Sequence, residues 1–155
     1  MRITYDIWTG TFAFDTSGAR PFGANIEARL DRHGQVVAFD GLSFGMVLSR
    51  NGAEALRQTF PPPGVRYVST DQDLLTSVPV RWRPDEAITL DVWMTNEGTT
   101  VAGTHAFVAP RPAQPWPSWI WDAGKARWMA PVAYPQDGGV YDWDEASGQW
   151  VAAPS

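Results

Sequence analysis

The sequence predicts an all-β chain on three observations. Apolar residues recur at every second position through most of residues 1 to 110, clusters of Gly, Asn, Asp and Pro interrupt those runs at short intervals, and a sustained 3.6-residue period is lacking. About eight short strands separated by such turns describe an antiparallel β-sandwich. Strand count and turn spacing favour the immunoglobulin-like kind, although the cysteine pair of antibody domains is missing. The expected organisation is a β-sandwich domain over 1-110, then a Pro-rich linker and a small Trp-rich double β-hairpin module over 111-155.

Ile3, Tyr5 and Ile7 alternate and Thr11 to Phe14 follow Gly10, so the first segment reads as one strand with a bulge or bend. Ile26, Ala28 and Leu30 alternate up to Asp31-Arg32-His33-Gly34, and Val36-Val37-Ala38-Phe39 resumes beyond, which predicts a local hairpin. Leu42, Phe44, Met46 and Leu48 keep period two until Asn51-Gly52, a strong hairpin-turn dipeptide because both residues tolerate positive φ. Ala53 to Gln58 has helix-forming composition but is cut off by Pro61-Pro62-Pro63-Gly64, and a return strand fits equally well.

Val65 to Val68 and Thr76 to Trp82 are further strand candidates, with Pro79 placing the second at a sheet edge. After the turn Arg83-Pro84-Asp85-Glu86, Ile88, Leu90, Val92 and Met94 form one face of the clearest half-buried strand. Asn96-Glu97-Gly98 turns the chain back into Thr99 to Ala109, with Val101, His105 and Phe107 on one face.

Composition narrows the function classes. Without cysteine there is no disulfide framework, thiolate zinc site or thiol nucleophile. A net charge of -5 argues against capture of nucleic acid, which needs a concentrated excess of Lys and Arg. No window approaches the roughly 18 apolar residues of a membrane span, and residues 1 to 6 lack a signal-like apolar core, so a soluble chain without membrane insertion is expected.

Candidate chemistry is sparse. Gly41-Leu42-Ser43-Phe44-Gly45 matches the nucleophile-elbow pattern, but alternation runs straight through Ser43 to Leu48 and no helix follows. His33 lies in a turn and His105 in a strand, without the cysteines or spaced carboxylates of a metal or acid-base site. Asp71-Gln72-Asp73 and Asp142-Trp143-Asp144-Glu145 lack the Gly and distal Glu of a calcium loop. The expectation is a chain that binds or builds: no enzyme, no catalytic residue, no metal, no cofactor.

Nine Trp in 155 residues are many, and six lie beyond residue 115. Arg111 to Pro117 holds three prolines and should be extended. Trp121-Asp122 to Trp128 then matches Trp143-Asp144 to Trp150 at an offset of 22 residues. Two Trp around a small or polar stretch suit a short hairpin with the rings meeting across the strands. The candidate binding residues are Trp116, Trp119, Trp121, Trp128, Tyr134, Tyr141, Trp143 and Trp150. They read either as buried anchors or as exposed platforms for sugar rings or partner pockets. So many rings exceed what this short stretch can bury, so contact with the sandwich or another chain is expected.

The run Pro115-Trp-Pro-Ser-Trp-Ile-Trp-Asp122, then Trp128-Met-Ala-Pro-Val-Ala-Tyr-Pro-Gln-Asp-Gly-Gly139, then Tyr141-Asp-Trp-Asp-Glu145 and Trp150 resembles a C-terminal module of tailed-phage structural proteins, especially phages of marine and alphaproteobacterial hosts. The resemblance covers residues 112 to 151. The sequence departs from it with Trp116 where Tyr is usual and Ala133 where Pro is usual, and neither change removes an aromatic anchor. It implies a virion component, tail-tip or tail-fibre associated, made in the host cytoplasm. Its partners would be other virion tail proteins in a homo-oligomer, with host attachment through a surface glycan or a capsid decoration role as rival readings. It implies no ligand for any one residue.

Overall fold

Where alternation is strictest, the structure obeys it. In the computed structural model, which describes residues 1–35, 39–40, 42–65, 68–69, 73–96 and 98–154, Ile88, Leu90, Val92 and Met94 are all 0–1% exposed. Thr89, Asp91, Trp93 and Thr95 face the other way and keep part of their surface. The described residues contain no helix. The chain divides into two compact units, Met1–Arg111 and Pro112–Ser155.

The first unit holds β1 (Arg2–Asp6), β2 (Thr11–Asp15), β3 (Gly23–Asp31), β4 (Phe39–Asp40), β5 (Ser43–Arg50), β6 (Ala53–Phe60), β7 (Val68–Ser69), β8 (Leu74–Arg81), β9 (Ala87–Asn96) and β10 (Thr99–Val108). One sheet has the order β2-β1-β3-β8 and the other β10-β9-β5-β6, while β4 and β7 form a small separate pair. Taking β3, β5, β6, β8, β9 and β10 as strands B, C, C′, E, F and G gives immunoglobulin-type connectivity, a β-sandwich. The N-terminus departs from it, because β1 runs parallel to β3.

The core is shared by both sheets: Ile3, Ile26, Ala28 and Leu30 from one, Phe44, Met46, Leu48, Leu90 and Val92 from the other. Gly45 is required by a close approach, since a Cβ there would lie 1.9 Å from the ring of Trp93 on the paired strand. Phe14 of β2 stacks on His105 of β10 with centroids 5.0 Å apart, joining the edges of the two sheets. Pro79 sits on β8, an edge strand, where its missing N–H costs no ladder bond.

Two sequence expectations need correction. Residues 3 to 14 form a hairpin, not one bent strand: Asp6 Oδ1 accepts the amides of Trp8 and Thr9, and Gly10 (φ 65°) closes the turn with its amide on the Asp6 carbonyl. The hairpin expected from Ile26 to Phe39 does not form, because β3 is flanked by β1 and β8, and Phe39–Asp40 pairs with β7 instead. Val36 to Ala38, Arg66, Tyr67 and Glu97, parts of other expected strands and turns, lie outside the described residues. Ala53–Phe60, left open between helix and strand, pairs with β5, and ladder bonds plus burial of Leu56 and Phe60 outweigh local helix propensity. The Asn51-Gly52 turn forms with φ of 49° and 82°.

The second unit contains β11 (Ile120–Asp122), β12 (Arg127–Met129), β13 (Tyr141–Asp144) and β14 (Gln149–Ala152). They make two antiparallel hairpins in which Trp121 faces Trp128 and Trp143 faces Trp150. The first hairpin of the sandwich repeats the design. Tyr5-Asp6-Ile7-Trp8-Thr9-Gly10-Thr11-Phe12 places an aromatic pair, a turn-capping Asp and a positive-φ residue at the same spacings as Trp121 to Trp128 and Trp143 to Trp150. Tyr5 and Phe12 meet with centroids 5.0 Å apart. With Tyr5 and Phe12 where the other two hairpins carry Trp, this third copy does not show in the spacing of the tryptophans.

Candidate aromatic binding site

The hairpins of the second unit are built by their turns and closed by their rings. Asp122 Oδ1 accepts the Lys125 amide, and the Asp144 carboxylate accepts those of Ala146 and Ser147. These bonds hold both carboxyl groups below their usual range, with the Lys125 amide the largest influence on Asp122 and the Ser147 hydroxyl the largest on Asp144. The positive φ needed before the return strand falls on Ala126 (52°) and Gly148 (64°). Beyond each turn the Trp rings meet edge to face, at 5.4 Å for Trp121 and Trp128 and 5.2 Å for Trp143 and Trp150.

Further rings join them. Trp119 packs edge-on against Trp143 and Trp150 at 6.2 and 6.0 Å, Tyr134 lies 4.9 Å from Trp150, and Tyr141 lies 5.9 Å from Tyr134. Indole N–H groups then tie the hairpins to the segments between them. Trp128 Nε1 donates to the Pro112 carbonyl and Trp150 Nε1 to that of Val132, each at 2.9 Å. Glu145 accepts Trp143 Nε1 at 2.8 Å, the Ser118 amide at 2.9 Å and the Ser118 hydroxyl at 2.8 Å, and these donors, the indole first, keep its carboxyl below the usual range.

The eight candidate residues therefore divide. Trp143, 6% exposed, is an interior anchor. Trp119, Trp121, Trp128, Tyr141 and Trp150 are partly buried, whereas Trp116 and Tyr134 are exposed at 39% and 41%. A pocket of about 250 Å³ opens among Trp119, Trp128, Met129, Val132, Tyr134 and Trp150, with Arg127 also on its lining. Trp116, Trp121, Tyr141 and Trp143 are not part of that lining. The calcium candidates at Asp144 and Glu145 have their oxygens committed to the turn and to Ser118 and Trp143, and Asp71 and Gln72 lie outside the described residues.

The sandwich gathers one polar cluster that the sequence did not reveal. The parallel register of β1 on β3 sets Asp6 beside Asp31, and His33 (φ 50°) turns its Nε2 to 2.9 Å from Asp6 Oδ2. Ligand atoms of the three lie within 4.8 Å of one another. Trp8, 68% exposed at the tip of the first hairpin, packs at 5.2 Å from the His33 ring. Asp6 already caps the Trp8 turn with its other oxygen, and the Thr9 and Trp8 amides with His33 hold its carboxyl low. The signal in the sequence was the hairpin motif around Asp6, not the distant His33. Ser43 opens β5 and the strand continues through Arg50, so the setting of a nucleophile elbow is lacking.

No protein-family model matches the chain, and no curated protein or solved structure matches it either.

Proposed function

We propose that the chain is a structural subunit of a tailed-phage particle, tail-tip or fibre associated, that works by protein-protein contact. In this reading the sandwich docks through its surfaces and edge strands, and the Trp-rich unit latches a neighbouring tail protein within a homo-oligomeric assembly. The observation that carries it is the apolar pocket ringed by Met129, Val132, Tyr134 and Trp150, with Trp116 and Tyr134 exposed in the same unit. Aromatic and Met side chains around a small concavity are the composition of protein-protein anchor sites. The resemblance of residues 112 to 151 to phage structural modules supplies the setting.

Mass spectrometry of purified particles tests this: the chain is expected in stoichiometric amounts, and its absence from particles would overturn the reading. A second reading, attachment to a host surface glycan, is favoured by one observation, the exposed Trp8 ring beside His33, Asp6 and Asp31. Sugars are held by such a stacking face with polar groups at its rim. Titration of host lipopolysaccharide or capsule against intrinsic fluorescence, with Trp8→Ala as control, checks it, and an unchanged signal at saturating polysaccharide rejects it.

A further inference from the structure

We propose that the aromatic pocket of the second unit takes a proline-rich extended segment of a partner protein; this deepens, and rests on, the reading of that unit as a docking module. The unit already holds two such segments of its own chain by one device. Trp128 donates its indole N–H to the carbonyl of Pro112, the first proline of Pro112-Ala-Gln-Pro-Trp-Pro117. Trp150 donates in the same way to Val132, which lies between Pro131 and Pro135. In both, the donor is the second Trp of a hairpin and the acceptor lies in the proline-containing strap upstream. Extended proline-rich backbone suits this because its carbonyls have no internal hydrogen bonds and its rings offer flat apolar faces to aromatic side chains.

A third indole lacks its strap. Trp119 lines the pocket, and its Nε1 is buried with no hydrogen-bond acceptor, whereas Trp128, Trp143 and Trp150 each have one. A buried donor without a partner is a cost that a carbonyl brought to it would remove. Trp119 Nε1 has no open surface in this structure, so such a segment has to shift the rings around it on binding. The pocket, about 250 Å³, falls just below the roughly 300–1,000 Å³ of small-molecule sites, so it suits one or two side chains of a peptide. A sugar would need acceptors beside the rings, and the Glu145 carboxylate of this unit is already taken by Ser118 and Trp143. Arg127 on the lining adds donors for further peptide carbonyls.

The test uses the full chain with ¹⁵N-labelled Trp, titrated with decaproline and with a Gly-Ser repeat peptide of equal length. The indole signals of Trp119, Trp128 and Trp150 are expected to move saturably with decaproline only, while those of Trp8, Trp82 and Trp93 stay. Trp119→Phe keeps a ring but removes the donor, and should weaken binding about five- to tenfold. Ala133→Phe adds a ring from the pocket lining and should weaken it about tenfold or more; undisturbed Trp121 and Trp143 signals report that the variant is folded. Decaproline that leaves every indole signal in place, or binding that survives Ala133→Phe, overturns the proposal. Presence in purified particles without a decaproline response rejects the proline ligand alone, and absence from particles with a response rejects the virion setting alone.

Discussion

The two units of this chain keep their order by different means. The sandwich hides ten large apolar side chains at under 2% exposure, from Ile3 and Phe44 to Met94, and needs little else. Among the described residues of the Trp-rich unit, only Ala126 and Trp143 are buried, at 8% and 6% exposure. Edge-to-face rings, indole bonds to strap carbonyls and the Glu145 bridge to Ser118 and Trp143 do the rest. Apolar burial is undirected and scales with area, while the second unit depends on a few directed contacts. The sandwich should therefore lose stability by degrees, and the Trp-rich unit should fail when single groups are removed.

The largest expected effect sharpens that contrast. Phe44→Ala opens a cavity between the sheets and should cost about 3–5 kcal/mol, lowering the melting transition of the sandwich but leaving it folded at room temperature. Trp143→Ala removes a ring that meets both Trp119 and Trp150 and should cost a similar 3–5 kcal/mol or so. A unit of this size has about that much stability in total, so it should unfold outright. Calorimetry with near-ultraviolet circular dichroism checks both: each substitution should change one transition, and a single shared transition would break the comparison.

Acid should separate the units next. Asp122, Asp137, Asp144 and Glu145 all have carboxyls held below their ordinary values of 3.8 and 4.5 by hydrogen bonds within the second unit. The largest contribution at Asp137 comes from the Tyr141 hydroxyl. A carboxyl whose pKa is depressed by folding stabilises the fold above its unfolded value, and that stability is lost as pH falls through the folded value. The Trp-rich unit should thus weaken progressively below about pH 4.5. Asp6, Asp15 and Glu54 of the sandwich are held low in the same way, but there the loss is set against a large apolar core, so the Trp-rich unit should give way first. Glu145→Gln should lower the transition of this unit at neutral pH and blunt its acid response. A variant with an unaltered acid profile would show that Glu145 is not the group that responds.

How much of this was legible follows from how local each signal is. Ile88 to Met94 and Leu42 to Leu48 announce their faces because side chains alternate strictly within one strand, and the Trp121 and Trp143 hairpins announce themselves because ring, Asp and turn lie within eight residues. The partners of β3 are set by packing between distant segments, so nothing near Ile26 marks β1 and β8 as its neighbours. The contact of Asp6 with His33 depends on that same parallel pairing. The strap carbonyls are equally silent, since every residue carries one and only the folded unit selects Pro112 and Val132.

The smallest expected effect tests whether the two hairpins are one design. Ala126 and Gly148 occupy the same turn position, both at positive φ, where a Cβ crowds the backbone and costs roughly 1–2 kcal/mol that glycine avoids. A Cβ at Gly148 would meet nothing within 4 Å, so Gly148→Ala should lower the stability of the unit by about 1 kcal/mol through backbone strain alone. Ala126 is 8% exposed, so Ala126→Gly trades relief of that strain against lost packing and a looser unfolded chain. Its net gain should stay under about 1 kcal/mol. Denaturant unfolding followed at the tryptophans reads both changes. Opposite signs at the two positions would mark backbone conformation as the shared constraint, whereas destabilisation by both would mean that the first hairpin relies on the packed methyl of Ala126 in a way the second does not.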